Sequence, residues 1–230
     1  MTISIKSVSI FCLSILLSGI FGNILAQSPL LKDACLWQNL YIEKKLFKRI
    51  TLTNNEEARF DQNITHFKYI YTDVGVQYKV AKWLHISVDY VPILKNNDVS
   101  WSKRHQFYLD ATLTYKFKQF TFHNRSMFQG QYTDIYSSPT GKIPIGVYRN
   151  KTMIKYSYYN FEPYIAHEIF YYLASPLGET GFARTRSFGG VTYTLDQSNS
   201  VELYYAIERD FNFNTTYNLY IIGIGYNIIL

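Results

Sequence analysis

The chain has 230 residues, of which only 17% are charged while 18% are aromatic, with 22 Tyr and 16 Phe. So many aromatics among so few charges exclude a disordered chain. A mean hydropathy of -0.12 excludes a bundle of membrane helices, because beyond residue 26 no run approaches the roughly 18 to 20 apolar residues of a spanning helix. The abundance of Tyr, Phe, Ile and Thr points instead to β structure.

The first 26 residues carry one cation, Lys6, then a largely apolar run from Val8 to Phe21 and the ending Ile24-Leu25-Ala26. This is the layout of a secretory signal peptide cleaved after Ala26, leaving 27–230 as one β domain. An uncleaved anchor is the weaker alternative, since the apolar run is short for a span. Cys12 leaves with the leader and Cys35 stays alone, so no internal disulfide is expected. Removing Lys6 lowers the formal charge from +6 to +5. An exported chain meets little nucleic acid, so no nucleic-acid partner is expected.

Beyond the leader, apolar and polar residues alternate with period two in segment after segment, the pattern of strands with one apolar and one polar face. In chain order the segments are Leu36 to Lys44, Ile50 to Phe60, Tyr69 to Val80, Leu84 to Val91, Phe107 to Phe117 and Phe120 to Phe128. Then follow Thr152 to Tyr156, Ile165 to Ile169, Val191 to Leu195, Val201 to Ile207 and Tyr220 to Leu230. A Tyr precedes each tight polar turn, at 41, 78, 115, 156 and 193, at intervals of 37, 37, 41 and 37 residues. The near-constant interval implies a repeating pair of strands.

Connections alternate in length. Short turns at Glu43 to Lys48, Lys79 to Lys82, Lys116 to Gln119 and Asp196 to Ser200 take turns with longer polar loops. The loops are Asp61 to Phe67, Leu94 to Arg104, Gln131 to Gly146, Leu173 to Ala183 and Asp210 to Thr216. Short turns on one rim and long loops on the other are the asymmetry of outer-membrane barrels, and the repeated Tyr would form the periplasmic aromatic girdle. The sequence therefore predicts an all-β, antiparallel, transmembrane outer-membrane β-barrel of ten to twelve strands in a Gram-negative bacterium. A soluble β-sandwich is the alternative, but it does not call for Tyr at one fixed level.

Several runs resemble a known family. They are Trp37-Gln38-Asn39-Leu40-Tyr41-Ile42-Glu43-Lys44-Lys45-Leu46, Tyr71-Thr72-Asp73-Val74-Gly75 and Arg104-His105-Gln106-Phe107-Tyr108-Leu109-Asp110. Asn124-Arg125, Tyr148-Arg149-Asn150-Lys151, Phe161-Glu162-Pro163-Tyr164 and the ending Tyr220-Ile221-Ile222-Gly223-Ile224-Gly225-Tyr226 belong with them. In these the chain resembles the uncharacterised outer-membrane family called domain of unknown function 2490. The resemblance implies an exported β-barrel and no established activity.

Eleven alternating segments conflict with the even strand numbers of single-chain bacterial barrels. Three resolutions are open: Leu36 to Lys44 lies inside or beneath a ten-stranded barrel, a twelfth strand is hidden, or an odd barrel closes in parallel. The last is the least expected in a bacterium.

The parity opposite to the apolar set lists the lumen. It holds Glu57 and Arg59, then Asp73, Asp89 and Asp110 on successive strands. Arg125, Arg149 and Lys151 follow as a basic wall, with His123 and Lys155 beside them. Glu168, Arg184, Arg186, Glu202 and Glu208 complete the set. These charges either close the lumen as a ladder of ion pairs or set a transverse field across a narrow water-filled pore.

Lipid-modifying hydrolases of the outer membrane present a His and a Ser two apart on a strand, so His85-Ile86-Ser87 is the candidate for that chemistry. Parity turns both inward and the adjacent short turn puts them near the periplasmic rim, away from lipid. His123 and Ser126 fall on opposite faces. No metal site or cofactor is expected from the scattered His66, His85, His105, His123 and His167. The expected function is non-enzymatic, a narrow channel or an accessory subunit of an outer-membrane assembly, with a lipid-modifying hydrolase as the alternative. Expected partners are outer-membrane lipid and lipopolysaccharide, reached by loop cations such as Lys103 and Arg104, and other outer-membrane proteins.

Overall fold

The computed structural model describes residues 31–133, 139–176, 178, 180–210 and 217–230. The expected leader over 1–26 lies outside the described residues, as does nearly all of the expected Asp210 to Thr216 loop. Eleven strands form one closed barrel in chain order. They are β1 (Leu31–Lys45), β2 (Ile50–Asp61), β3 (His66–Ala81), β4 (Leu84–Asn96), β5 (Trp101–Phe117) and β6 (Phe120–Tyr132), followed by β7 (Ile145–Tyr156), β8 (Phe161–Ala174), β9 (Gly181–Thr194), β10 (Asn199–Asp210) and β11 (Tyr217–Ile229). A single 3-10 turn, Thr140–Lys142, lies between β6 and β7.

Neighbouring strands pair antiparallel, but β1 pairs with β11 in parallel, from Leu31 opposite Tyr217 to Glu43 opposite Ile229. Of the three resolutions open for an odd strand count, the structure takes the parallel closure of an odd barrel, with every other neighbour antiparallel. With an odd number of up-and-down strands the first and last run the same way, so their edges can satisfy one another only through a parallel ladder. Asp33 fixes the start of β1 by accepting the backbone N–H groups of Gln62 (2.9 Å) and Asn63 (2.7 Å) from the β2–β3 loop. At its other end the backbone N–H of Leu230 donates to Glu43 O (2.8 Å).

All five short turns lie on one rim, between β1 and β2, β3 and β4, β5 and β6, β7 and β8, and β9 and β10. Of the five tyrosines that precede them, Tyr78, Tyr115, Tyr156 and Tyr193 face out. Tyr41 does not: it lies in register with Asn55 and Asn227 and directs its hydroxyl to Glu43 (3.5 Å), inside the barrel. The outer position there belongs to Ile42, so the expected ring of five tyrosines is a ring of four.

The alternation also under-reads β7, β8 and β9, which extend well beyond Thr152 to Tyr156, Ile165 to Ile169 and Val191 to Leu195. The cause is chemical. Their outer faces carry Asn150, Thr152, His167, Thr185 and Ser187 where an apolar residue was needed to continue the pattern. The loop expected over Leu94 to Arg104 shrinks for the opposite reason, since Trp101 to Arg104 already pair with β4.

Over much of the remaining outer surface apolar side chains stand open. Val74, Val76, Val88 (62% exposed), Leu109, Phe128, Ile165 (64% exposed) and Leu203 are among the residues that stand on it. Inside, along the seam, Cys35, Trp37, Ala206 and Ile221 form a buried apolar cluster against Phe188, Tyr204 and Leu219. Burying a side chain such as Ile221 contributes about 1.5 to 3 kcal/mol, so this cluster stiffens the one parallel joint. Two glycines create room beside it. A Cβ on Gly223 would meet the Tyr204 ring at 1.9 Å, and one on Gly190 would meet the Tyr164 ring at 2.8 Å, so both rings lie close over the wall at mid-height.

Candidate functional site

Thirteen of the charged residues that parity turns inward form the candidate site, with at least one on each of the nine strands β2 to β10. They divide into a paired set and an unpaired set. Glu168 on β8, 1% exposed, is the centre of the first. Arg149 reaches its Oε1 through Nη2 (2.8 Å) and Nε (3.0 Å), Arg125 through Nη2 (3.4 Å), and Arg186 reaches Oε2 through Nη1 (3.5 Å). Arg186 also binds Glu208, which takes Arg184 at 3.4 Å, while Arg184 donates to Asp210 (3.0 Å). Arg59 pairs with Glu57 on its own strand and places its Cζ over the Trp37 ring, 3.4 Å from the centroid. Arg149 and Arg186 stack on Phe170 at 4.6 and 5.2 Å. These planar cations are held on both edges and faces, by carboxylates and by rings.

The acidic wall is built differently. Ser87 on β4 stands between Asp89 Oδ2 (2.5 Å) and Asp110 Oδ2 (2.8 Å), with one hydroxyl proton to donate to the two. Among the described residues no cation stands within 4.0 Å of Asp73, Asp89 or Asp110. Arg125 and Arg149 of the basic wall pair with Glu168 and not with Asp110. Lys151 likewise has no carboxylate within ion-pair distance. Its ammonium lies 4.3 Å from the Phe188 ring centroid. Glu202 lies on the same inner face of β10, near Tyr164 and Tyr204, and lines the same cavity.

A cavity of about 1050 Å³ occupies the lumen. It begins at the loop rim, where Gln62, Asn97, Asp98 and Thr133 line it, and descends to Asn39, Asn55, Asp73, Lys151, Tyr164 and Tyr204. The lower inward residues Glu43, Ser87, Asp89, Asp110, His123 and Glu162 are not part of its lining. The cavity is therefore lined by charged side chains over the half of the lumen nearer the loop rim, with Tyr164, Tyr204, Lys151 and Asp73 among its deeper lining residues.

His85 and Ser87 both face inward, and Ser87 is engaged with Asp89 and Asp110. No group of three metal-ligating side chains occurs among the described residues. Sequence reasoning overlooked a different His–Ser contact. His167 on β8 and Ser187 on β9 stand opposite one another on the outer face, Nδ1 to Oγ 2.9 Å. They are 20 residues apart, so no local motif announces them; the failed alternation of β8 and β9 is the only trace.

A closed, eleven-stranded, up-and-down β-barrel with a parallel seam and a charged lumen is the class that these features define. The sequence matches the family described as "Protein of unknown function (DUF2490)" over residues 34–219, and the chain belongs to that family. Among curated proteins none matches it.

Proposed function

We propose that the chain is an integral outer-membrane barrel whose lumen acts as a narrow passive channel for small charged and polar solutes. Membrane residence is supported by the outer surface. Soluble monomers rarely expose contiguous apolar patches beyond a few hundred Å², whereas here apolar side chains stand outward on most strands. Strands of 12 to 17 residues exceed the roughly 9 to 11 that a tilted span needs. The leader over 1–26 would deliver the mature chain, 27–230, across the inner membrane, and cations at the loop rim such as Lys103 would meet anionic lipopolysaccharide.

The observation that carries the channel reading is the separation of the two walls. Arg125 and Arg149 bind Glu168 and reach none of Asp73, Asp89 and Asp110 within 4.0 Å, so among the described residues the acidic and basic walls stand apart with no ion pair between them. A closed ladder would join these groups; walls held apart polarise the space between and orient solutes that pass. This function uses no covalent chemistry, so the protein is proposed to be non-enzymatic, and the hydrolase alternative would need a lipid-facing catalytic group other than His85 and Ser87.

Proteoliposome swelling tests the proposal. Vesicles holding the barrel should admit glycine and small salts while excluding a trisaccharide. Vesicles impermeable to all of them, although the protein shows the boiled-versus-unboiled gel shift of a folded barrel, would contradict it. A second reading, a subunit of a larger membrane assembly, is favoured by polar patches on the outer face.

A further inference from the structure

Two polar patches interrupt the outer apolar surface. On β1 to β3, Glu56 points outward and accepts hydrogen bonds from Thr72 Oγ1 (2.7 Å) and Asn54 Nδ2 (3.2 Å), with Gln38 exposed nearby. A groove of about 390 Å³ runs past it over Leu40, Ile70, Ile224 and Tyr226. On β6 to β9, His167 contacts Ser187 and lies in register with Thr152, while Asn124 and Asn150 exchange amide hydrogen bonds at 3.1 and 3.2 Å.

Their placement relates them. In the strand order β2 and β8 are five steps apart one way and six the other, so the patches lie on opposite sides of the barrel. Glu56 is the sixth residue beyond Ile50 and His167 the sixth beyond Phe161, each counted from the first residue after a short turn. Both therefore sit at a similar depth, near the middle of the outer surface. Ionisable and amide groups facing lipid at that depth are costly and are normally paired with another polar group.

We propose that copies of this chain associate side by side in the membrane, the Glu56 patch of one copy meeting the His167 patch of the next. The chemistry is complementary: a carboxylate and a glutamine meet an imidazole, a hydroxyl and two amides. The depths match because every copy inserts in the same orientation. Contact between different faces is heterologous, and faces half a turn apart extend into open rows rather than closing into a ring. This proposal rests on the membrane reading but not on the channel reading.

The test uses thiol cross-linking in outer-membrane fractions, in a background with Cys12 and Cys35 changed to alanine. Chains carrying Gln38→Cys and chains carrying Ser187→Cys, distinguished by tags of different size, are co-expressed and treated with a short bis-maleimide. A cross-linked pair containing both tags is expected, with neither variant cross-linking when expressed alone. Adding Glu56→Leu should lower the mixed pair about tenfold, as loss of one charge-assisted contact would. Monomers only, self-pairs of either variant, or a cross-link to a different protein would overturn the proposal. A gel shift on the same samples separates the two readings. If the chain shows none and leaves the membrane with salt alone, the membrane reading fails and this one with it; monomers that remain folded in the membrane overturn this proposal alone.

Discussion

Glu168 gathers three guanidinium groups on one buried carboxylate, and its loss would leave Arg125, Arg149 and Arg186 without the anion they share. Removing the anion from such a cluster costs about 3 to 5 kcal/mol, so Glu168→Gln should lower barrel stability by that order in denaturant titrations followed by gel mobility. Arg149→Ala should cost less, about 1 to 3 kcal/mol, because Arg125 and Arg186 still serve the carboxylate. Equal losses would mean that the three arginines do not share one partner. At the short-turn rim Asp196 accepts the backbone N–H of Ser198 (2.8 Å) and hydrogen bonds from the Asn199 side chain (2.9 Å) and backbone (2.8 Å), which hold its carboxyl below the usual range. A depressed pKa contributes stability that is complete above the unfolded carboxylate value of about 4 and fades as pH falls through the folded value. An NMR titration should find Asp196 titrating below an ordinary exposed aspartate, and Asp196→Asn should remove this part of the acid sensitivity.

Strands are legible wherever one face is largely apolar, as in β3 to β5, where Val74, Val76, Ile86, Val88 and Leu109 stand outward. Only short stretches of β7 to β9 are legible, because the polar outward residues there cancel the contrast on which alternation depends. The count of eleven could be read, but closure could not, since strand direction at a seam is a property of the whole ring and no residue of β1 or β11 encodes it locally. The parallel seam makes a specific prediction. Leu36 and Ile222 are partners in the register and both face out, so Leu36→Cys with Ile222→Cys, in a background free of Cys35, should oxidise to an intramolecular disulfide with altered gel mobility. Moving one cysteine to Ile228 should abolish it. An even-numbered antiparallel closure would reverse the direction of one seam strand and lose this pairing.

Across the whole molecule, the apolar exterior supports the proposed membrane residence, and the inward parity fixes which charges share the lumen. Parity alone placed thirteen charged residues inside, but it could not say which would meet. The choice depends on side-chain reach across the lumen: Arg125 spans from β6 to Glu168 on β8 instead of pairing with Asp110 on the neighbouring β5. Lys151 is left without an ion pair among the described residues, its ammonium over the Phe188 ring, so Lys151→Met should shift selectivity toward cations, read as a change in reversal potential under a salt gradient, with little change in stability. The most direct test of the central claim is single-channel recording of the purified, folded barrel in a planar bilayer. Small, discrete current steps are predicted, and bilayers that stay silent with protein shown by gel shift to be folded would contradict the claim of an open lumen.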